Sequence, residues 1–277
     1  MLSAQTTQFS TVYGPVKSWR FGRSLGIDPI GLISTCSFNC VYCQLGEIQK
    51  HTTMRQIFVH TAQILQELQA ITSWDGVDVV TLSGSGEPTL ALNLGDILAV
   101  AKRVTGLPTV VLTNSTLLGD PSVRSDLSWA DMVAVKLDAV SSKQLLQVNR
   151  PVAVIDLPEI LAKIELFRQE YQGFLAIQTM LLSPWSAQMQ AEYIQILQRL
   201  NPDEIQLNTP SRPRSLRRNL NNRGNEVIIE MPEHGDAAEL VNFGRQLKCV
   251  SADVLQGFAA KIQTATNIPV RYAPIPS

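Results

Sequence analysis

Three of the chain's four cysteines stand in the stretch STCSFNCVYCQLG, at Cys36, Cys40 and Cys43. Three thiols so close in sequence read as a metal site or as catalytic groups, not as disulfide partners. The fourth, Cys249, is remote and reads as an inert core cysteine, a common place for a free thiol. The C-x3-C-x2-C spacing lacks the second C-x2-C pair of many structural zinc sites, although Cys249 or a histidine could supply a fourth ligand. It also departs from the bacterial ferredoxin run. On a cubane cluster, three thiolates would leave one iron open to a substrate or cofactor. His51, His60 and His234 sit in polar or helix-start contexts and read as surface or capping residues.

These side chains need a scaffold, and the pattern around them supplies one. Short apolar runs read as buried strands: Val77 to Ser83, Thr109 to Asn114, Asp131 to Ala139, Phe174 to Leu182 and Glu204 to Thr209. Several are apolar on both faces, as in a parallel sheet covered on both sides. A first strand is expected near Leu25 to Ser34, with Pro29 as a local obstacle. Amphipathic stripes fall between the strands, for example Ile64, Leu65, Leu68, Ile71 and Leu157, Ile160, Leu161, Ile164, Phe167. Ser125 to Trp129 and Ser141 to Val148 read as shorter helices.

Alternation of this kind predicts an α/β fold with right-handed crossovers, six βα units by about residue 210. Six units suit a partial, TIM-like barrel or an open sheet better than a full eight-unit barrel, and in either case the site belongs at the C-terminal ends of the strands. The reading is one domain over 1–277, with a core over 25–210 and a C-terminal extension over 211–277. In that extension Glu226 to Met231 reads as a strand, and about 235–247 and 252–265 as helices.

Composition sets outer limits. Over 277 residues the apolar share is 45%, the charged share 17% and the net charge −1. These values fit a globular protein with no global pull toward nucleic acid. No apolar run reaches the ~18 residues of a membrane span. The N-terminus lacks a signal-peptide pattern, so a cytoplasmic location without membrane attachment is expected. Local charge is less even: Arg212, Arg214, Arg217, Arg218 and Arg223 crowd one window without an acid, and Lys17, Arg20 and Arg23 lie near the start. Converging at the barrel mouth, they would suit a phosphate-bearing small molecule or tRNA; otherwise they form a solvated surface.

CSFNCVYC resembles the cluster motif of the radical S-adenosylmethionine (radical SAM) enzymes, with Tyr42 at the motif's aromatic position. The resemblance implies that Cys36, Cys40 and Cys43 hold a 4Fe–4S cluster whose fourth iron is chelated by the methionyl end of SAM. Reductive cleavage would then give a 5′-deoxyadenosyl radical that abstracts a substrate hydrogen, with electrons from an external donor of flavodoxin or ferredoxin type. SGSGEPTL, Ser83 to Leu90, resembles the family's GGE-type motif, with Ser85 separating the glycines. Gly84, Gly86 and Glu87 would bind the methionyl amine, since glycine permits close backbone approach and a carboxylate pairs with an ammonium. By position at strand ends, Thr113 and Asn114 would lie near the SAM carboxylate or ribose, and Lys136 and Asp138 would point at cofactor or substrate. A closed, apolar strand-end cavity is expected to shield the radical.

Tyr13 to Asp28, Val148 to Pro151 and Ile205 to Pro213 further resemble the radical SAM proteins grouped with the wyosine-base tRNA enzymes. Their second, N-terminal cluster has no cysteines here. An uncharacterised sibling, a related tRNA-base modifier, and a non-enzymatic iron–sulfur or zinc carrier or sensor are the three readings carried forward.

Overall fold

The computed structural model describes residues 9–152, 154–210, 214–215, 223, 244–245 and 247–274. The main sheet has eight strands: β1 (Val12–Ser18), β2 (Gly22–Ile27), β3 (Val79–Leu82), β4 (Thr109–Thr113), β5 (Met132–Lys136), β6 (Phe174–Met180), β7 (Glu204–Asn208) and β8 (Val270–Tyr272). They lie side by side in chain order. β1 is antiparallel to β2, and every later pairing is parallel.

The helices are α1 (Thr61–Gln69), α2 (Leu94–Thr105), α3 (Pro121–Leu127), α4 (Ser142–Val148), α5 (Leu157–Glu170), α6 (Ala187–Leu200) and α7 (Ala252–Thr266). Side-chain caps set several starts: Ser186 Oγ accepts from the Met189 N–H, and Ser251 Oγ from the Val254 N–H. The short helix expected at Ser125 to Trp129 starts earlier, because Asp120 caps it and Pro121 suits its first turn.

The six expected βα strands are present and form the expected α/β partial barrel. Two details differ. The first parallel strand is Gly22–Ile27, ending before Asp28-Pro29, and it is preceded by a hairpin partner, β1, which alternation alone did not mark. The helix expected over 252–265 is present as α7, and Val270–Tyr272 after it adds a seventh parallel strand, with Val270 registered against Ile205. The expected strand at Glu226 to Met231, and nearly all of the helix expected over 235–247, fall outside the described residues.

Strand alternation divides the sheet into two faces. Leu25, Ile27, Val80, Leu82, Val133, Val135, Ile177 and Ile205 join helix residues such as Ile64, Leu68, Ile97 and Phe258 in one core. Ser24, Gly26, Thr81, Ala134, Lys136, Gln178 and Gln206 point to the opposite face. That face is concave. At roughly 4.8 Å per strand, a flat eight-strand sheet would hold its edges more than 30 Å apart. Yet Arg271 on β8 donates through Nη1 to the Arg20 carbonyl at 3.0 Å and through Nη2 to the Trp19 carbonyl at 2.5 Å, in the β1–β2 turn. The sheet therefore curls until its edges meet.

Glu67 of α1 staples the hairpin to this frame. Its Oε2 accepts from the Ser10 hydroxyl, the Thr11 N–H and hydroxyl, and the Val12 N–H, at 2.8 to 2.9 Å. Burial raises the Glu67 pKa, but these donors and Gln63 outweigh it, and the net direction is down. A lowered folded pKa gives stability that is complete above the unfolded value of ~4.3 and is lost as pH falls through the folded value. Glu67→Gln is expected to cost about 1–2 kcal/mol at neutral pH and to flatten the acid limb of a stability–pH curve measured by urea unfolding. An unchanged acid limb would show that the staple contributes nothing.

Candidate functional site

The three cysteines lie in the loop between β2 and β3, at the C-terminal ends of the parallel strands. The loop has little regular structure, and backbone bonds to two neighbours hold it. On one side Thr35 meets the SGSGEP turn: its N–H donates to the Ser85 carbonyl at 3.1 Å, and its carbonyl accepts from the Glu87 N–H at 3.0 Å. On the other side the loop meets VNRP. Asn39 N–H donates to the Asn149 carbonyl at 2.9 Å, Val41 N–H to the Val148 carbonyl at 2.9 Å, and Val152 N–H to the Ser37 carbonyl at 3.0 Å. Thr35–Cys36 also pairs with Lys50–His51, closing the loop on itself.

Gly84 and Gly86 are explained by this docking. A Cβ on Gly86 would stand 1.8 Å from the Thr35 carbonyl oxygen. Gly84 has φ +143°, and a Cβ there would lie 2.4 Å from Asp28 Cγ. Only glycine permits both approaches.

Glu87 is buried and accepts four hydrogen bonds: Thr89 N–H at 3.2 Å, Thr89 hydroxyl at 2.7 Å, Thr113 hydroxyl at 2.6 Å and Asn114 N–H at 2.7 Å. Burial pushes its carboxyl pKa up against the pull of these donors. Asn114 Nδ2 donates to Ser37 Oγ at 2.9 Å and reaches Cys36 Sγ at 3.5 Å. Thr113 and Asn114 thus tie the end of β4 to Glu87 and to the first cysteine.

A second network surrounds Cys40. Asp138 Oδ2 accepts from the Tyr42 hydroxyl and, at 2.7 Å, from Asn149 Nδ2; Oδ1 accepts from the Met180 N–H at 2.7 Å. Lys136 Nζ lies 3.7 Å from Asp138 Oδ1 and 4.9 Å from the centre of the Tyr42 ring. Asn149 Nδ2 also reaches Cys40 Sγ at 3.4 Å. Sequence reasoning flagged VNRP as a segment but missed Asn149 as a side chain. Its position as the C-cap of α4, opposite the cysteine loop, is visible only in the fold.

The donor set fits an iron–sulfur cluster. Burial pushes the Cys36 thiol up, Cys40 to about 12, and Cys43 up as well, so the metal-free loop carries neutral thiols. Metal binding would release their protons. The Phe38 N–H at 3.3 Å and the Asn114 and Asn149 amides aim at Cys36 and Cys40 sulfurs, as donors do around cluster thiolates. Among the described residues, no three His, Cys, Asp or Glu side chains converge on one ion position. A single zinc ion therefore has no formed site, whereas a cubane takes each thiolate on a different iron. Asn149 Oδ1 is buried with no hydrogen-bond partner, an acceptor left for a donor on a bound molecule.

Other expectations are revised. Cys249 is exposed rather than buried, its thiol donating to the Pro210 carbonyl at 2.8 Å. His51 and His60 are exposed, as their surface reading expects, and His60 makes no side-chain capping bond. Among the described basic residues, those near the chain start lie away from the cysteines, while Arg214 and Arg223 reach the site end of the strands. Lys17 and Arg23 face each other in the β1–β2 hairpin, at the opposite end of the strands from the cysteines. Arg20 reaches Gln178 Oε1 at 3.3 Å, and Arg223 pairs with Asp28 at 2.9 Å. Among the described residues, Arg214 and Lys136 place positive charge near Cys43. Arg212, Arg217, Arg218 and His234 lie outside the described residues. The concave face is mixed rather than wholly apolar: beside Val79, Val110, Leu112 and Ala176, Gln178 Nε2 donates to Gln206 Oε1 at 2.8 Å, and Gln206 Nε2 to Glu204 Oε1 at 2.6 Å.

The comparisons with known proteins agree with this geometry. The family model described as the radical SAM superfamily matches residues 30–189. A UPF0026 protein of Synechocystis is 54% identical over 97% of this chain and 98% of its own length. A UPF0026 protein of Methanocaldococcus jannaschii is 35% identical over 73% of this chain and 64% of its own. Among solved structures, Streptococcus suis SuiB bound to its precursor peptide SuiA aligns with a TM-score of 0.59 at 13% identity, over 90% of this chain and 48% of SuiB. That likeness is one of fold. The wyosine-like segments have no counterpart in these relatives' names.

The cysteine loop depends on the Gly86 contact. Gly86→Ala is expected to sit at or above the upper end of the about 1–3 kcal/mol cost of overpacking, because the obstacle is backbone. The expected readout is a protein with native circular dichroism that binds little iron on anaerobic reconstitution. Wild-type iron content in that variant would refute the dependence.

Proposed function

Since the chain belongs to the radical SAM superfamily, and with its UPF0026 relatives to that group, we propose that Cys36, Cys40 and Cys43 hold its 4Fe–4S cluster and that the SGSGEP turn holds the methionyl end of SAM. The protein is a radical SAM enzyme, and cluster and SAM are its cofactors. Together they supply reductive cleavage of the sulfonium to a 5′-deoxyadenosyl radical, which abstracts hydrogen from the substrate. The observation that carries the site assignment is the set of three partly buried thiols in one loop, stitched to the glycine turn through Thr35 and to VNRP through Asn39 and Val41.

The chain's own residues position and insulate. Glu87, Thr113 and Asn114 keep the glycine turn, β4 and Cys36 in fixed relation. Tyr42, Asp138 and Asn149 do the same for Cys40, with Lys136 offsetting the buried carboxylate. Backbone carbonyls of the SGSGEP turn, rather than the already saturated Glu87 carboxylate, are the acceptors we assign to the methionyl ammonium. The reductant is an external donor of flavodoxin or ferredoxin type. The described basic residues, scattered over both ends of the sheet, lend no support to a tRNA substrate.

The test is anaerobic reconstitution, then electron paramagnetic resonance of the dithionite-reduced protein with and without SAM. Wild type is expected to show a reduced cubane signal that SAM shifts, with 5′-deoxyadenosine in the mixture. Cys40→Ala is expected to lose at least a hundredfold of that product. Full signal and full product from the variant would sink the ligand assignment.

A further inference from the structure

We propose that Asp28 and the rings of Phe9 and Tyr13 form a binding site for a guanidinium group of the substrate, and that the chain's own Arg223 occupies it when substrate is absent. The word substrate rests on the radical SAM reading; the cation site does not.

The site is built around a fully buried carboxylate. Asp28 Oδ1 accepts from the Ile30 and Gly31 N–H groups, each at 3.0 Å. Its Oδ2 accepts from the Ser85 N–H at 3.1 Å, the Ser85 hydroxyl at 2.6 Å, and Arg223 Nη1 at 2.9 Å. The Asp28 side chain is 0% exposed and that of Arg223 9%. The Arg223 guanidinium carbon stands 4.7 Å from the Phe9 ring centre and 4.9 Å from that of Tyr13. Two ring faces and a carboxylate select a flat, delocalised cation and repel an anion.

Its place ties it to the chemistry. Tyr13 lies across Gly26 on the concave face, so close that a Cβ there would be 2.2 Å from Tyr13 Cζ. The Tyr13 hydroxyl lies 3.1 Å from Ser83 Oγ, and Asp28 holds Ser85. Ser83 and Ser85 flank Gly84 in the turn assigned to SAM. A cation on Asp28 therefore anchors a substrate beside the cofactor.

Asp28 does not depend on Arg223 for its hydrogen bonds. Four donors come from Ile30, Gly31 and Ser85 and would stay when Arg223 leaves. The charge would not tolerate vacancy, since a buried carboxylate without a counter-ion is costly. Arg223 must be replaced by another cation, not simply withdrawn. Competition of this kind lowers apparent affinity by the fraction of sites that remain open.

The probe is ethylguanidinium, titrated calorimetrically into the reconstituted protein without SAM. Wild type is expected to bind weakly, Arg223→Ala to bind about tenfold or more tightly, and Tyr13→Leu to weaken both. Arginine amide and an Ala-Arg-Ala peptide separate the two sources of the group: tighter binding of one identifies a free small molecule or a peptide side chain. Three results would overturn the proposal: no binding to wild type at any soluble concentration, inorganic phosphate binding that Arg223→Ala removes, or failure of both Arg223→Ala and Arg223→Met to fold, which would make Arg223 a strut. The titration reads no SAM cleavage. Loss of the cubane signal with intact cation binding would sink the radical assignment alone.

Discussion

The contact between the Thr35 carbonyl and Gly86 governs the whole site. The cysteine loop runs through Cys36, Cys40 and Cys43 with little secondary structure to keep its thiols in place. What fixes it is a short parallel bridge between Thr35 and Gly86, flanked by hydrogen bonds from Thr35 N–H and Glu87 N–H. The bridge requires the backbone of the turn after β3 to lie where any side chain at position 86 would collide. The glycine turn therefore has a structural duty before it has a ligand. The turn and the thiols become neighbours because the same bridge holds them both.

Three strand-end carboxylates complete the arrangement. Asp28 follows β2, Glu87 follows β3 and Asp138 follows β5, and all three are buried. A buried carboxylate is tolerated only with its lone pairs occupied. Each of these acids is saturated by loop N–H groups and short polar side chains, so each fixes the loop that supplies the donors. Glu87 gathers Thr89, Thr113 and Asn114; Asp138 gathers Tyr42, Asn149 and Met180; Asp28 gathers Ile30, Gly31 and Ser85. The acids thereby organise the loops that surround the thiols.

Much of this was legible in the sequence, for reasons that differ by residue. The strands of the barrel announce themselves because their helix-facing side is apolar throughout, as at Val80, Leu82, Val133 and Ile177. The cysteines announce themselves by spacing. The β1–β2 hairpin did not, because its strand VYGPVKS is largely exposed and its stability comes from the distant Glu67. The last strand was hidden for a similar reason: Val270 to Tyr272 is three residues long and owes its place to pairing with β7. Asp28 and Asn149 are ordinary polar residues beside turns, and only tertiary packing turns them into the hubs of two networks. Where the arginine window would gather was not legible, because charge density along the chain does not say which end of a strand a residue occupies; of its described members, Arg214 lies by Cys43 and Arg223 on Asp28.

The mixed concave face changes how the barrel protects reactive chemistry. An apolar lining excludes water by offering it nothing. Here part of the lining is self-paired instead: Gln178 and Gln206 use each other, Arg20 and Glu204 as partners, and the Ser24 and Thr81 hydroxyls bond one another. A lining whose donors and acceptors are already matched has little hold on stray water, because each captured molecule would have to displace an existing bond. It also differs from an apolar wall in what it accepts. A polar substrate can be admitted by exchanging one protein–protein bond for one protein–substrate bond, at small net cost. Such a lining rejects loose solvent and admits a matched polar ligand, which is the selectivity that hydrogen abstraction in a polar cavity requires.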